Sequence, residues 1–123
     1  MMTYKADGHF IILTTTGSTT ADERRAVYDT IRSDPSVPDG AFLIIDIRKY
    51  EIFLTPIELQ NRVRDLLEGL SAKIGTSCAI IVGDASKRVG FDFQLLAADL
   101  HFRVGVFRDE AGARKWLAPG ASA

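Results

Sequence analysis

Two short runs constrain the fold of this chain more than anything else in it: "AFLIIDI" at residues 41–47 and "SCAIIVGD" at 77–84. Neither alternates apolar with polar residues, so neither suits a strand with one wet face. A run that is apolar throughout and bounded by turn residues suits a strand covered on both faces, the condition of a parallel sheet. Helix-like segments stand before and after each run. Strands alternating with helices imply βαβ units joined by right-handed crossovers.

The rest of the chain fits that frame. "TYKAD" and "FIILTTTG" are extended runs on either side of Asp7-Gly8, a hairpin signal. A first helix is expected from Thr20 to Ser33, opened by a reciprocal capping box of Thr20 and Glu23. Val27 and Ile31 lie on its apolar face, with Arg24, Arg25, Asp29 and Arg32 mostly elsewhere. The prolines and glycine of "SDPSVPDG" stop it. The second helix runs from about Thr55 to Leu70. Leu59, Val63, Leu66, Leu67 and Leu70 form its apolar stripe. Glu58, Gln60, Asn61, Arg62, Arg64, Asp65 and Glu68 are read as its solvated side, and Gly75 as the close of the segment. "SKRVGFDFQLLAADL" is a third helical segment, weakened by Gly90. In "FRVGVFRD", Phe102, Val104 and Val106 alternate with Arg103, Gly105 and Phe107, as in an edge strand with one wetter face. "DEAGARKWL" is a short last helix with Asp109 as N-cap and Trp116 and Leu117 packing on the sheet. The tail "APGASA" is expected to fray. The order is β-β-α-β-α-β-α-β-α: an N-terminal hairpin, then βα units, in a mostly parallel sheet of four or five strands with about four helices.

Composition agrees with one α/β domain spanning 1–123. The chain is 46% apolar and 25% charged, as in ordinary globular proteins. The net charge is −1, which gives no electrostatic footprint for nucleic acid. Cys78 is the single cysteine, so no internal disulfide forms, and its apolar run predicts a buried, inert thiol. "MMTYKADGHF" has no apolar core of a secretory signal. No apolar run approaches the roughly 18–20 residues of a membrane span. A cytoplasmic location is the expectation.

Several of these features together resemble the SpoIIAA-like family. They are the hairpin, "TTADE" opening the first helix, a strand ending in Asp46, a strand ending "VGD", and "FRDEAGARKWL" near the terminus. Members are small bacterial domains with the STAS fold, related to anti-sigma factor antagonists. The resemblance implies regulation by switched binding in place of catalysis. It also implies a phosphorylated serine in a motif like Asp-Ser-Ser-Gly after a central strand. Here the matching region is "DIRKYEIFLTP": Asp46 matches by position, but the serine pair and glycine are missing. Thr55, the only aliphatic hydroxyl there, stands nine residues past Asp46, and no phosphorylation by an anti-sigma-type kinase is expected. The SpoIIAA-like branch is also linked to a lipid-carrier fold that holds hydrophobic ligands and touches membranes.

Asp46, Asp84 and Asp109 each follow an apolar strand, and ligands of open α/β sheets sit beyond the carboxyl ends of strands. A rim of Asp46, Arg48, Lys49, Asp84, Ser86, Lys87 and Arg88 is one reading; ordinary strand-end polarity is the other. "GDASKRVG" lacks the glycine register of a P-loop, which leaves at most a weak anion site at a helix start. His9 and His101 have no metal-ligand spacing, no nucleophile elbow appears, and no cofactor is expected. Thr55, Pro56 and Glu58 each do a known job at a helix start, so capping explains Thr55.

The apolar triplet Ile52, Phe53 and Leu54 is less easily explained, because a strand-to-helix connection should be polar. Leu54 serves as a hydrophobic staple onto Leu59. Ile52 and Phe53 are then either a small cluster beneath the loop or the exposed lip of a binding surface. In the second case Arg48 and Lys49 would meet an anionic headgroup or acidic partner at its edge. The expected role is a non-enzymatic regulatory or ligand-binding module. Its site would draw on Asp46, Arg48, Lys49, Ile52, Phe53, Asp84, Lys87 and Arg88, its partner being a protein, a small hydrophobic ligand or a second copy. The alternatives are a carrier of a hydrophobic ligand or peripheral membrane module, and a small enzyme using strand-end carboxylates.

Overall fold

The computed structural model describes residues 1–50 and 53–118. The elements are β1 (Met2–Asp7), β2 (Phe10–Thr15), α1 (Ala21–Ser33), β3 (Ala41–Ile47), α2 (Pro56–Leu70), β4 (Ile74–Val82), α3 (Lys87–Ala98), β5 (Arg103–Phe107) and α4 (Glu110–Leu117). The five strands lie side by side in chain order. β1 pairs antiparallel with β2, and every later pair is parallel. The hairpin closes where expected: Asp7 faces Phe10, and Gly8 takes φ +60° at the first loop position. Glycine adopts that conformation without the Cβ clash any other residue meets there.

Chain-order strands and one-handed crossovers have a geometric consequence. Every crossover helix falls on the same side of the sheet. One core cluster accordingly joins Tyr28 and Ile31 of α1, Val63 and Leu67 of α2, and Phe93 and Ala97 of α3 to Leu13, Leu43, Ile45 and Ile80 of the strands. The opposite face carries Ile12, Ile44, Ala79 and Ile81, and α4 alone covers it through Ala113 and Leu117. Both faces of β3 and β4 are thereby buried, which is why their sequences do not alternate.

Four local expectations need correction. The α1 cap is half a box: the Thr20 side chain accepts from the Glu23 N–H, but the Glu23 carboxylate accepts from the Met2 N–H at 2.8 Å. β1 runs alongside and draws the carboxylate away. Gly75 does not close α2; it lies inside β4, where the pairing with β3 jumps from Ala41–Ile74 to Leu43–Cys78. A glycine within an irregular stretch of strand is a common device. The face of β5 read as wetter is covered by α4, with Arg103 stacked 4.5 Å over the Trp116 ring and Phe107 5.6 Å from it. Finally, Arg62 is half-buried, not part of the solvated side of α2. Cys78 is buried as expected, and burial pushes its thiol up to about 12.

Gly90 weakens α3 by propensity alone, yet the packing asks for it. A Cβ at that position would stand 2.4 Å from Cγ1 of Val82, a stiff β-branched side chain in the core. Alanine would contribute about 1 kcal/mol of helix propensity, but overpacking typically costs about 1–3 kcal/mol. Gly90→Ala is therefore expected to lower stability, read as a lower denaturant midpoint. The loss should shrink when Val82→Ala is present in the same chain. A midpoint that rises would show that α3 shifts without cost.

Candidate functional site

Beyond the carboxyl end of β3 the chain turns at once, the Tyr50 N–H donating to the Ile47 carbonyl at 3.0 Å. That turn carries Tyr50 into the main core, 4% exposed. Leu54 is half-buried against the same core. Phe53 is 85% exposed. Ile52 lies outside the described residues. The apolar connection therefore divides its side chains between the core and the surface. Thr55 then caps α2 with both halves of the box in place: its Oγ1 accepts from the Glu58 N–H at 3.2 Å, and Glu58 accepts from the Thr55 N–H at 3.1 Å.

Beneath this connection, among α1, α2, α3 and the carboxyl ends of β2, β3 and β4, lies a cavity of about 70 Å³ that is open to solvent on one side. Its wall is apolar: Ile45, Ile47, Leu54, Leu59, Val63 and Leu66 are among its residues. Thr15, Tyr28, Tyr50, Arg24 and Arg62 bring polar groups to it. Arg24 Nη1 donates to the Thr19 carbonyl at 2.9 Å and to Thr19 Oγ1 at 2.8 Å. Arg62 Nη1 reaches Thr19 Oγ1 and Tyr50 Oη, both at 3.4 Å. Burial lowers the affinity of Arg24 for its proton, and the neighbouring charge of Arg62 lowers it further. Burial also pushes the Tyr28 hydroxyl up to about 12.

Outside the cavity, Phe53, Leu54, Pro56 and Leu59 face Arg88, Asp92, Leu95 and Leu96 across an open cleft of about 600 Å³ between α2 and α3. Leu95 is 70% exposed. Leu54 and Leu59 line the cavity on one side and the cleft on the other.

The strand-end polar residues expected to form one rim fall into separate places. Asp46 lies among the β3 side chains that alternate onto the α4 face. Arg48 grips it with Nε at 3.0 Å and Nη2 at 2.7 Å, and its backbone N–H adds a third bond at 3.0 Å. Burial pushes the Asp46 carboxyl up, but these bonds outweigh it and hold the group below the usual carboxylate range. Asp84 is exposed and paired with Arg108 at 2.6 Å. Lys49 and Lys87 are exposed on the surface. Arg88 stands 3.9 Å from Asp92 and borders the cleft with Phe53. Ser86 is fully buried, its Oγ accepting from the Gly83 N–H at 3.0 Å. Of the expected site residues, the described cleft brings together only Phe53 and Arg88. Among the described residues no group of histidines, cysteines or carboxylates could hold a metal ion.

Sequence reasoning passed over Tyr50, Arg24, Arg62 and Thr19. Arg62 carried one signal: it sits three residues after Leu59 and four before Leu66, at the border of the apolar stripe. No family model, curated protein or solved structure matches this chain.

Two outcomes follow for the connection. Thr55→Ala is expected to lower stability by roughly 1 kcal/mol, the usual loss for an N-cap, and Thr55→Ser to be nearly neutral. An unchanged denaturant midpoint for the alanine variant would remove the capping role. Phe53→Ser is expected to leave stability within about 1 kcal/mol, as for exposed positions. Tyr50→Ala should cost about 3 kcal/mol, as for large buried aromatic side chains. Equal losses at the two positions would contradict this division of the loop.

Proposed function

We propose that the chain is a non-enzymatic ligand-binding module that takes a small, largely apolar molecule at the carboxyl ends of β2, β3 and β4. The apolar cavity bordered by a few polar groups carries this reading. Binding sites for small molecules are mostly apolar, with a small number of polar groups that fix orientation. In open α/β sheets they occur beyond the carboxyl ends of the strands. The mixed five-stranded sheet with four helices is compatible with the SpoIIAA-like resemblance, and we keep that resemblance as part of the proposal. It supports a regulator whose state depends on occupancy and not on a phosphorylated serine. The enzyme reading has less behind it: Asp46 and Asp84 are each held by an arginine, and Asp46 is lowered where a general acid would need to be raised.

A second reading rests on a different observation. Phe53 in the connection before α2, Ile57 at the start of α2, and Phe91 and Leu95 on α3 are all exposed. Such apolar surface favours docking of a protein, a second copy or a membrane surface. Among the described residues no helix is long and apolar enough to cross a membrane.

The two readings separate in a titration of ¹⁵N-labelled protein with benzene and with 1-butanol, followed by amide shifts. Occupancy of the cavity should move Tyr50, Leu54, Val63 and Leu66, and Val63→Ile, which adds one carbon to a space of about 70 Å³, should weaken it. Shifts confined to Phe53, Phe91 and Leu95 would overturn the cavity reading in favour of docking. Native mass spectrometry of freshly purified protein should show a retained small molecule on a single subunit.

A further inference from the structure

We propose that Arg24 and Arg62 form an anion-recognition pair for the cavity, and that its ligand is a small carboxylate with a short apolar tail. This rests on the reading that the cavity takes a small apolar molecule, and it names the head group that molecule carries.

The two guanidinium groups come from neighbouring helices and converge on one hydroxyl, Thr19 Oγ1, at 2.8 and 3.4 Å. Like charges brought so close repel, and both side chains are half-buried, where water screens them less. Most arginines of this chain solve that problem with a carboxylate: Arg25, Arg32, Arg48, Arg88, Arg108 and Arg114 each have one within 4 Å. Among the described residues Arg24, Arg62, Arg64 and Arg103 have none, but Arg64, which bonds Asn61, and Arg103, which stacks on Trp116, are exposed to water, whereas Arg24 and Arg62 are half-buried. Asp65 and Glu58 act on them only from a distance, and Glu58 is spent on the Thr55 N–H. The hydrogen bonds they do make leave donors over. Among the described residues Arg24 donates through Nη1 alone, and both contacts of Arg62 are at the long limit.

The surroundings specify the rest of the ligand. Guanidinium forks match the two oxygens of a carboxylate. The Tyr50 hydroxyl lies 3.4 Å from Arg62 Nη1, and Tyr28 and Thr15 also line the cavity. Behind them the wall is apolar, and about 70 Å³ is under half of the roughly 150 Å³ of an engineered apolar cavity that takes benzene, which leaves room for a tail of only a few carbons. A head without a tail would leave the apolar wall empty. A tail without a head would leave two half-buried cations unneutralised.

The test compares three probes on the intact chain by calorimetry and amide shifts: butyrate, which has head and tail, 1-butanol, which has the tail alone, and inorganic phosphate, which has charge alone. Butyrate should bind at least tenfold more tightly than either, the ratio expected for one charge-assisted bond. Its advantage over butanol should fall with added salt. Arg24→Gln and Arg62→Gln should each lose about tenfold in butyrate affinity while butanol still binds, which shows that the cavity survives in those variants. Glu51 lies outside the described residues, and Glu51→Gln should leave butyrate affinity unchanged or tighter. Butanol binding as tightly as butyrate would overturn the head-group assignment and leave the cavity reading intact. Phosphate matching butyrate would overturn it too, reducing the pair to a surface anion patch. Binding of none of the three would overturn both.

Discussion

The order of the strands is the constraint on which the rest depends. With β2, β3, β4 and β5 parallel and adjacent in chain order, each connection must travel the length of the sheet and return on the same side. Three helices crowd one face as a result. Tyr50, from the connection after β3, is buried in the same core. The cavity lies among these three helices and the carboxyl ends of β2, β3 and β4. The same order leaves the second face to the one helix that follows the last strand.

The layered plan was legible in the residues because it depends on local signals. An unbroken apolar run announces a doubly covered strand, a glycine at a two-residue loop announces a hairpin, and Thr-Pro-x-Glu announces a helix start. Caps were legible where they close on themselves and illegible where a third element competes. Thr55 and Glu58 face no rival, while Glu23 meets the end of β1 and turns to Met2. Gly75 and Gly90 have roles that are hidden in the sequence for a related reason. A glycine reads as a stop or a weakness in isolation, whereas each here answers to a neighbouring strand.

The candidate site was much less legible. The strand-end charges look like a rim in one dimension, because every strand of a parallel sheet ends at the same edge. In three dimensions each finds the nearest opposite charge: Asp46 bonds Arg48 two residues on, and Asp84 bonds Arg108 at the end of the next strand. The two arginines at the cavity and the groups they bond come from α1, α2 and the loops before them. Only the packing of α1 on α2 brings Arg24, Thr19, Arg62 and Tyr50 together. Helical periodicity sorts side chains into buried and solvated sides, and it has no category for a charged residue at the border between them.

Arg114 of α4 holds Asp7 of the hairpin at 2.7 Å, bonds Glu110 at 2.9 Å, and lies 4.6 Å over the ring of Phe10. These partners join the last helix to the first turn across 107 positions of sequence. During synthesis, everything from β1 to α4 must therefore leave the ribosome before the second face of the sheet can be covered. Until then Ile12, Phe10, Phe42 and Ile44 would stand as a bare apolar surface on a sheet whose other side is already able to pack. Apolar surface exposed in that way is prone to association, so docking of α4 is the step that closes the second face of the sheet.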